Sequence, residues 1–255
     1  MASAGKIILK KRSPEEAQKI VDDFALNNWR KMAREPQGEL RHPYFVPGSV
    51  YQDLWDWDAF FTSCIVPAEG LKYATGSCCN LIEAPLRDGR PSKKASVDGK
   101  YEYFLHPYPI RGQFAALMFK RGGLDKDTLA AYWDKLEKSL LWYEEKSCDK
   151  EGYFLWQTYS GIDNDPSVYG RKPGTVAGTD LACLMYREYQ AMSLIARVTA
   201  SRVRLKYTSD SAEASVGNRR SSWSQTGQAA LSNGVFRIGI LGSSTVCDRN
   251  TQEIE

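Results

Sequence analysis

Apolar residues recur three and four positions apart over several stretches of the chain, the spacing that places them on one face of a helix. The strongest start signal is Ser13-Pro14-Glu15-Glu16. There a hydroxyl suits the N-cap, proline the first helical position and glutamate the third. This helix is predicted to end at Pro36, and four more are predicted at residues 71–84, 110–121, 125–146 and 179–196. The pattern therefore predicts an all-α class.

Other segments lack the helical period. Residues 86–100 and 160–175 are rich in glycine and polar side chains and are predicted to be long loops, with a short extended piece at 153–158. Residues 207–233 are rich in serine, glycine and alanine, and the apolar stretch 235–241 has no evident strand to pair with. We expect an N-terminal helix and loop over 1–47, a main body over 48–196 and a disordered tail over 197–255.

Composition separates this tail from the rest of the chain. Of the 30 aromatic residues among 255, 27 lie in residues 1–196, which carry 26 basic and 26 acidic side chains. The whole net charge of +3 therefore belongs to the tail. A neutral main body without a basic stripe argues against a nucleic-acid partner.

The sequence also bounds the compartment. No apolar stretch approaches the roughly 20 residues that span a membrane, and the apolar patch within residues 1–12 is too short for the core of a signal peptide. Six cysteines without CxxC spacing favour reduced thiols. We therefore expect a cytoplasmic protein with no membrane partner.

Motifs for cofactors and metals are missing from the sequence. It has no GxxxxGK[ST] and no GxGxxG, so no cofactor is expected. The only two histidines, His42 and His106, each precede Pro-Tyr in predicted loops. Such positions favour surface or hydrogen-bonded histidines over a metal site.

One candidate for chemistry is a pair of close carboxylates. Asp163 and Asp165 flank Asn164, with Tyr159 and Tyr169 on either side. Because two adjacent carboxylates disfavour double ionisation, one of them is expected to hold its proton to higher pH. A protonated carboxylic acid is what a glycosidase uses to protonate the leaving oxygen. The alternative is an Asx turn, in which Asp and Asn hydrogen-bond their own backbone.

A second candidate is the densest aromatic stretch, residues 51–61. Tyr51, Trp55 and Trp57 alternate with three aspartates, at 53, 56 and 58. Stacking faces beside hydrogen-bond acceptors suit sugars, which present apolar faces and hydroxyl rims. The alternative is that the tryptophans belong to the core and the aspartates cap a helix. Three acids within six residues are costly to bury, which favours a wet cleft.

Three motifs in the same order resemble a known family. They are Tyr51-x3-Trp55-x-Trp57-Asp58-x-Phe60-Phe61, then Ser160-Gly-Ile-Asp163-Asn-Asp-Pro166, then Thr179-Asp-Leu-Ala-Cys-Leu-Met-Tyr186. Together they resemble successive motifs of (α/α)6-barrel glycosidases of the trehalase and family 63 type, and most closely the mannosylglycerate and glucosylglycerate hydrolases. The resemblance covers roughly residues 48–196.

The resemblance implies roles for individual residues. Asp163 would be the general acid, and the other matching positions would contact a small carbohydrate substrate. Arg171 would hold an acidic aglycone through a two-pronged hydrogen bond. Gln113, in Pro109-Ile-Arg-Gly-Gln113, matches a substrate-contacting glutamine, although the proline spacing here departs from the family pattern. The implied substrate-binding set is Tyr51, Trp55, Trp57, Asp58, Gln113, Asn164 and Arg171.

The same resemblance shows what residues 1–196 lack. Such barrels need about twelve helices, so these residues would form an incomplete (α/α)6 barrel followed by an irregular tail. The family's general base is a glutamate near the end of the barrel, whereas the tail offers only Glu213, Glu253 and Glu255 in weakly aromatic sequence. We therefore expect a truncated glycoside hydrolase-like protein, of the type that hydrolyses a small glycoside by inversion but inactive as given. The alternative is a non-catalytic remnant that retains carbohydrate binding.

Overall fold

A computed structural model describes residues 12–158 and 170–199 of the chain. This part is mostly helical, as the periodicity predicted, and the four later predicted helices are present within a few residues of their expected bounds. The predicted first helix is divided in two. The tail from residue 200 onward, and the expectations for it, lie outside the described residues. The α-helices are α1 (Pro14–Asn27), α2 (Trp29–Met32), α3 (Asp56–Ile65), α4 (Leu71–Glu83), α5 (Arg111–Lys120), α6 (Lys126–Lys146) and α7 (Thr179–Val198).

Within the described residues, three small antiparallel sheets connect the helices. The predicted extended piece at 153–158 contains one of the strands, but the predicted loop 86–100 is more ordered than its composition suggested. Its residues 94–95 pair with the strand that precedes α3, so it lies against the aromatic stretch. The strand pairs are β1 (Ala33–Arg34) with β2 (Tyr44–Phe45), β3 (Leu54–Trp55) with β4 (Lys94–Ala95), β4 with β5 (Tyr101–Glu102), and β6 (Leu155–Trp156) with β7 (Val176–Ala177).

Helix α5 is central in the core. It packs against α4, α6 and α7, and nearly all of its residues from Arg111 to Met118 are buried. Its approach to α7 is close, because a Cβ added at Gly112 would lie 3.0 Å from both Glu188 Oε1 and Met192 Sδ. A helix buried on all sides presents no single apolar stripe. Its polar residues must therefore find partners inside the protein.

Helix α6 follows its prediction closely. Leu129, Trp133, Leu136, Leu140 and Tyr143 are all buried along one face. Its start is capped by Asp125, whose side chain accepts the N–H of Thr128. No helix in residues 12–158 and 170–199 is long and apolar enough to cross a membrane.

Candidate functional site

The aromatic stretch turns from strand to helix in its middle. Trp55 ends β3, and Asp56 begins α3. Both Trp55 and Trp57 are half-buried. The Trp57 ring stacks on Tyr108 with centroids 4.9 Å apart and planes 4° apart, and Phe61, one helical turn on, meets its edge at 5.7 Å. One face of Trp57 is thus covered by the protein.

The three aspartates of this stretch differ in environment. Asp56 is fully buried: one carboxylate oxygen accepts the N–H of Trp57 at 2.7 Å and the other that of Tyr108 at 3.1 Å. Burial raises the pKa of Asp56, and the cations of Lys93 and Arg111 oppose this rise. The expectation of a wet cleft is therefore wrong for Asp56, since two buried cations and two backbone donors compensate its charge.

The other two aspartates remain reachable from solvent. Asp53 forms an ion pair with Lys94, Nζ to Oδ2 2.8 Å, and the ammonium of Lys94 also lies 5.7 Å from the Trp55 ring centroid. Asp58 is half-buried, and burial together with the nearby Asp56 raises the pKa of its carboxyl. Asp53 and Asp58 therefore flank Trp55 and Trp57 with oxygen acceptors that a ligand can approach.

Tyr51 lies at the surface, with 53% of the residue exposed. Its N–H donates to the carbonyl of Gly48 at 3.1 Å, and its own carbonyl accepts from the guanidinium of Arg34 at 3.1 Å. The backbone is therefore held by two hydrogen bonds while the phenol ring stays accessible.

Gln113, whose implied role is that of a substrate ligand, uses its side-chain nitrogen inside the protein. It is buried, and its side-chain amide nitrogen donates to the carbonyls of Pro109, 2.6 Å away, and Leu184, 3.0 Å away. These bonds use both hydrogens of the amide on backbone groups of the protein. Gln113 therefore links α5 to α7, because Leu184 lies on α7.

Arg171 is exposed and borders a small cavity of about 130 Å³. The cavity lies beside Thr158 and close to Gly170, the two described residues that flank the segment 159–169. Asp163, Asn164 and the Asx-turn alternative fall within that segment and thus outside the described residues. The cavity is lined by Phe104, Trp156, Thr158, Arg171, Lys172, Pro173 and Val176.

Both ends of the segment that carries Asp163 are held by β6 and β7. Leu155 pairs with Ala177 and Trp156 with Val176, and Gly174 N–H donates to the Trp156 carbonyl at 2.9 Å. The Trp156 indole N–H donates to Asp180 Oδ1 at the start of α7, 3.2 Å away. The motif at 160–166 therefore leaves a strand that is tied to the motif at 179–186.

Tyr108 brings the aromatic stretch and this strand together. The Tyr108 ring stacks on Trp57 and also contacts Trp156 edge-on. The ring centroids of Tyr108 and Trp156 are 5.6 Å apart, and their planes are inclined at 70°. Trp57 belongs to the first motif, and Trp156, almost a hundred residues later in sequence, precedes the second. The structure thus places the first predicted motif beside the stem of the second.

Lys93 and Arg111, two buried cations that act on Asp56, were not predicted as functional. Lys93 is buried, and its ammonium lies 4.4 Å from the Tyr108 ring centroid and donates to the His106 carbonyl at 3.2 Å. Arg111 is buried and donates to the carbonyl of Ser92. Lys93 was missed because composition marked 86–100 as a polar loop, and Arg111 because it begins a predicted helix.

Glu188 was also missed. It is buried on α7 and accepts the N–H of Gly112 at 2.6 Å and that of Gln113 at 3.0 Å, both in the first turn of α5. Burial raises the pKa of this carboxyl to about 7, against the opposing effect of the two N–H donors and of Arg111. Glu188 lies nine residues after Thr179 on a predicted helix. Nothing in the sequence indicated that its carboxylate would bind the first turn of α5.

Both histidines have hydrogen-bond partners within the protein. His42 Nε2 lies 3.0 Å from Glu83 Oε2, and His106 is completely buried. In the described ranges no group of three His, Cys, Asp or Glu side chains could hold a metal ion. Cys64, Cys78, Cys79 and Cys183 are free thiols.

Comparisons with known proteins add no support to the family resemblance, which therefore depends on the three sequence motifs alone. A scan against protein-family models, a search of curated proteins and a search of solved structures each found no match to this chain.

Proposed function

We propose that this chain binds a small carbohydrate and carries the acid side of an inverting glycoside hydrolase site of the family 63 type. The single observation that carries the proposal is the contact chain from Trp57 through Tyr108 to Trp156. It brings a sugar-compatible surface next to the stem of the segment that contains Asp163. The helices α3 to α7 would then form part of the first half of an (α/α)6 barrel.

The sugar would lie against the open parts of Trp55 and Trp57. An indole face suits the apolar face of a pyranose, while carboxylate oxygens suit its hydroxyls. Asp58 and Asp53 supply such oxygens beside the two rings, and Tyr51 adds an exposed phenol. The stack of Trp57 on Tyr108 fixes the indole plane before a ligand arrives, which lowers the entropic cost of binding.

Asp163 would donate a proton to the glycosidic oxygen as the bond to the anomeric carbon breaks. In an inverting enzyme a water attacks that carbon from the opposite face, and a second carboxylate takes the water's proton. The family resemblance assigns this base to a glutamate motif for which residues 197–255 offer no counterpart. On this proposal the chain supplies acid and sugar surface, and water activation is missing.

The cavity beside Arg171 fits an acidic aglycone such as glycerate. Arg171 and Lys172 bring two positive charges to a recess of about 130 Å³. Trp156 lines the same recess and contacts Tyr108. A carboxylate held there by the Arg171 fork would lie beside Trp156.

The second candidate function is carbohydrate binding without catalysis. It is favoured by Gln113, whose amide is occupied by two backbone carbonyls instead of open to a substrate. Both functions predict sugar binding. They are distinguished only by a test of glycosidic bond cleavage with a nucleophile that needs no general base.

Azide makes that separation possible, since it attacks an anomeric carbon without losing a proton. The full chain is incubated with mannosylglycerate and sodium azide, and the products are followed by NMR. The proposal expects a glycosyl azide of inverted configuration plus glycerate, with Asp163→Asn lowering the rate by about 10²–10⁴-fold. Saturable binding with no glycosyl azide supports the second function. Absence of binding to any small glycoside contradicts both.

A further inference from the structure

His106 lies in a box of aromatic rings next to the stem of the Asp163 segment. Its imidazole is completely buried. The ring centroids of Trp142 and Tyr143, both on α6, lie 5.7 and 5.8 Å away, and that of Trp156 on β6 lies 4.8 Å away. The histidine therefore touches the strand from which the Asp163 segment departs.

A single hydrogen bond fixes the protonation of the His106 ring. Nδ1 lies 2.9 Å from the backbone nitrogen of Gln157. A backbone N–H can only donate, so Nδ1 must be the acceptor and any ring proton of the neutral imidazole sits on Nε2. Burial, and the cations of Arg90 and Lys93 after it, hold the pKa of His106 well below its usual range. The accepting form of the ring is thus the stable form near neutral pH.

The hydrogen bond to His106 restrains the backbone at Gln157. It follows β6 directly and precedes Asp163 by six residues. One side of β6 is already held, by its pairing with β7 and by Gly174. The bond to His106 holds the next residue along, in the direction in which the chain continues towards Asp163.

We infer that His106 is a positioning residue: its Nδ1 fixes Gln157, and so sets where the Asp163 segment leaves β6 relative to Tyr108 and Trp57. His106 is two residues from Tyr108, and the His106 carbonyl is itself held by the Lys93 ammonium at 3.2 Å. One rigid turn thus contacts both predicted motifs. The catalytic meaning of this role rests on the proposed function, whereas the contact with Gln157 does not.

Hydrogen exchange on the full chain, read by NMR or mass spectrometry, tests the role without turnover. His106→Leu removes the acceptor but keeps an apolar side chain. His106→Asn places an oxygen near the position of Nδ1, while His106→Gln carries the same amide one carbon further out. His42→Leu is the matched control, because His42 also precedes Pro-Tyr but bonds Glu83 on α4.

Loss of one buried hydrogen bond is expected to speed exchange of the Gln157 amide about tenfold in His106→Leu, with a parallel rise in chymotrypsin cleavage after Tyr159. His106→Asn should stay within about threefold of the wild type, and His42→Leu should leave Gln157 unchanged. If the Leu variant does not fold, slower exchange in His106→Asn than in His106→Gln supports the same role.

Two results overturn the positioning role. One is a Gln157 amide that exchanges equally fast in the Asn and Gln variants. The other is faster exchange spread evenly over α5, α6 and Gln157, which marks His106 as a core residue only. If no glycosyl azide forms but the exchange pattern is as expected, the proposed catalytic function is contradicted and the positioning role of His106 is still supported.

Discussion

Trp57 stacks face to face on Tyr108, with ring planes 4° from parallel, although 50 residues separate them. Tyr108 cannot move without moving Trp57, and its backbone N–H is held by the buried carboxylate of Asp56. The candidate sugar surface is therefore anchored to the core through one ring and one carboxylate. Substitutions on this surface should consequently affect both binding and stability.

The two tryptophans should separate these effects. Trp55→Ala and Trp57→Ala are each expected to weaken binding of a small glycoside by about 1–3 kcal/mol, the scale for losing a large apolar face. Trp57→Ala should lower the free energy of unfolding by ~1 kcal/mol more than Trp55→Ala does, because it also loses the stack on Tyr108. Calorimetric titration and urea unfolding measure the two quantities.

Trp223→Ala serves as the control for this pair, since it removes the same side chain outside the three motifs. Its binding constant should equal that of the wild type. Loss of far-UV helical signal in both Trp55→Ala and Trp57→Ala would mean that these residues act as core and not as a binding surface.

Asp163→Asn should discriminate between leaving groups. With azide as nucleophile, glycosides with an alkyl aglycone are expected to lose about 10²–10⁴-fold in rate, because protonation of the leaving oxygen is lost. Dinitrophenyl glycosides, whose leaving group needs no proton, should lose little. Asp127→Asn, in the exposed first turn of α6, is the control and should leave the rate unchanged. Equal losses for both substrate types would remove Asp163 from the acid role.

Periodic helices were the part of the fold that the sequence could predict. Leu129, Trp133 and Leu136 recur on one face of α6, and a face of that kind is buried wherever the helix packs. The bounds of α5 were also predicted. Its burial on every side was not, because that depends on α4, α6 and α7 meeting around it.

Buried charges could not be predicted, because each one depends on partners far away in sequence. Asp56 is tolerated in the core through Lys93 and Arg111, which come from a predicted loop and a later helix. Gln113 shows the converse. Its place in a motif implied a ligand, whereas packing of α5 on α7 directs its amide to Leu184.

Gly112 tests the close contact between α5 and α7. Gly112→Ala would place a methyl group 3.0 Å from Glu188 Oε1 and Met192 Sδ, a distance that forces these side chains to shift. The expected cost is about 1–3 kcal/mol in the free energy of unfolding, as for overpacking in cores. Gly48→Ala is the matched control, since its added methyl meets only the Tyr51 ring at 3.6 Å. Similar unfolding midpoints in urea for the two variants would show that the helices have room to separate.

Glu188 should make stability depend on pH in the direction opposite to most carboxylates. Its folded-state pKa is about 7, against 4.5 for an unperturbed glutamate. Between these values the folded protein holds a proton that the unfolded chain has lost, so stability falls as pH rises. The stabilisation is full below about pH 4.5 and is lost as pH rises through about 7, with an order of magnitude of ~3 kcal/mol.

The measurement must isolate Glu188 from His106, whose lowered pKa makes stability rise with pH below 6.5. Urea unfolding of the wild type and of Glu188→Gln is therefore compared at each pH from about 4 to 8. Glutamine cannot ionise, so the wild type minus variant difference should decrease by ~3 kcal/mol over this range and level off above neutrality. Asp125→Asn, at the exposed cap of α6, is the control. The Thr128 N–H lowers the pKa of the Asp125 carboxyl, so the wild type minus variant difference should here grow as pH rises. A difference that stays flat, or that grows with pH, would show that the Gly112 and Gln113 N–H groups keep Glu188 ionised throughout.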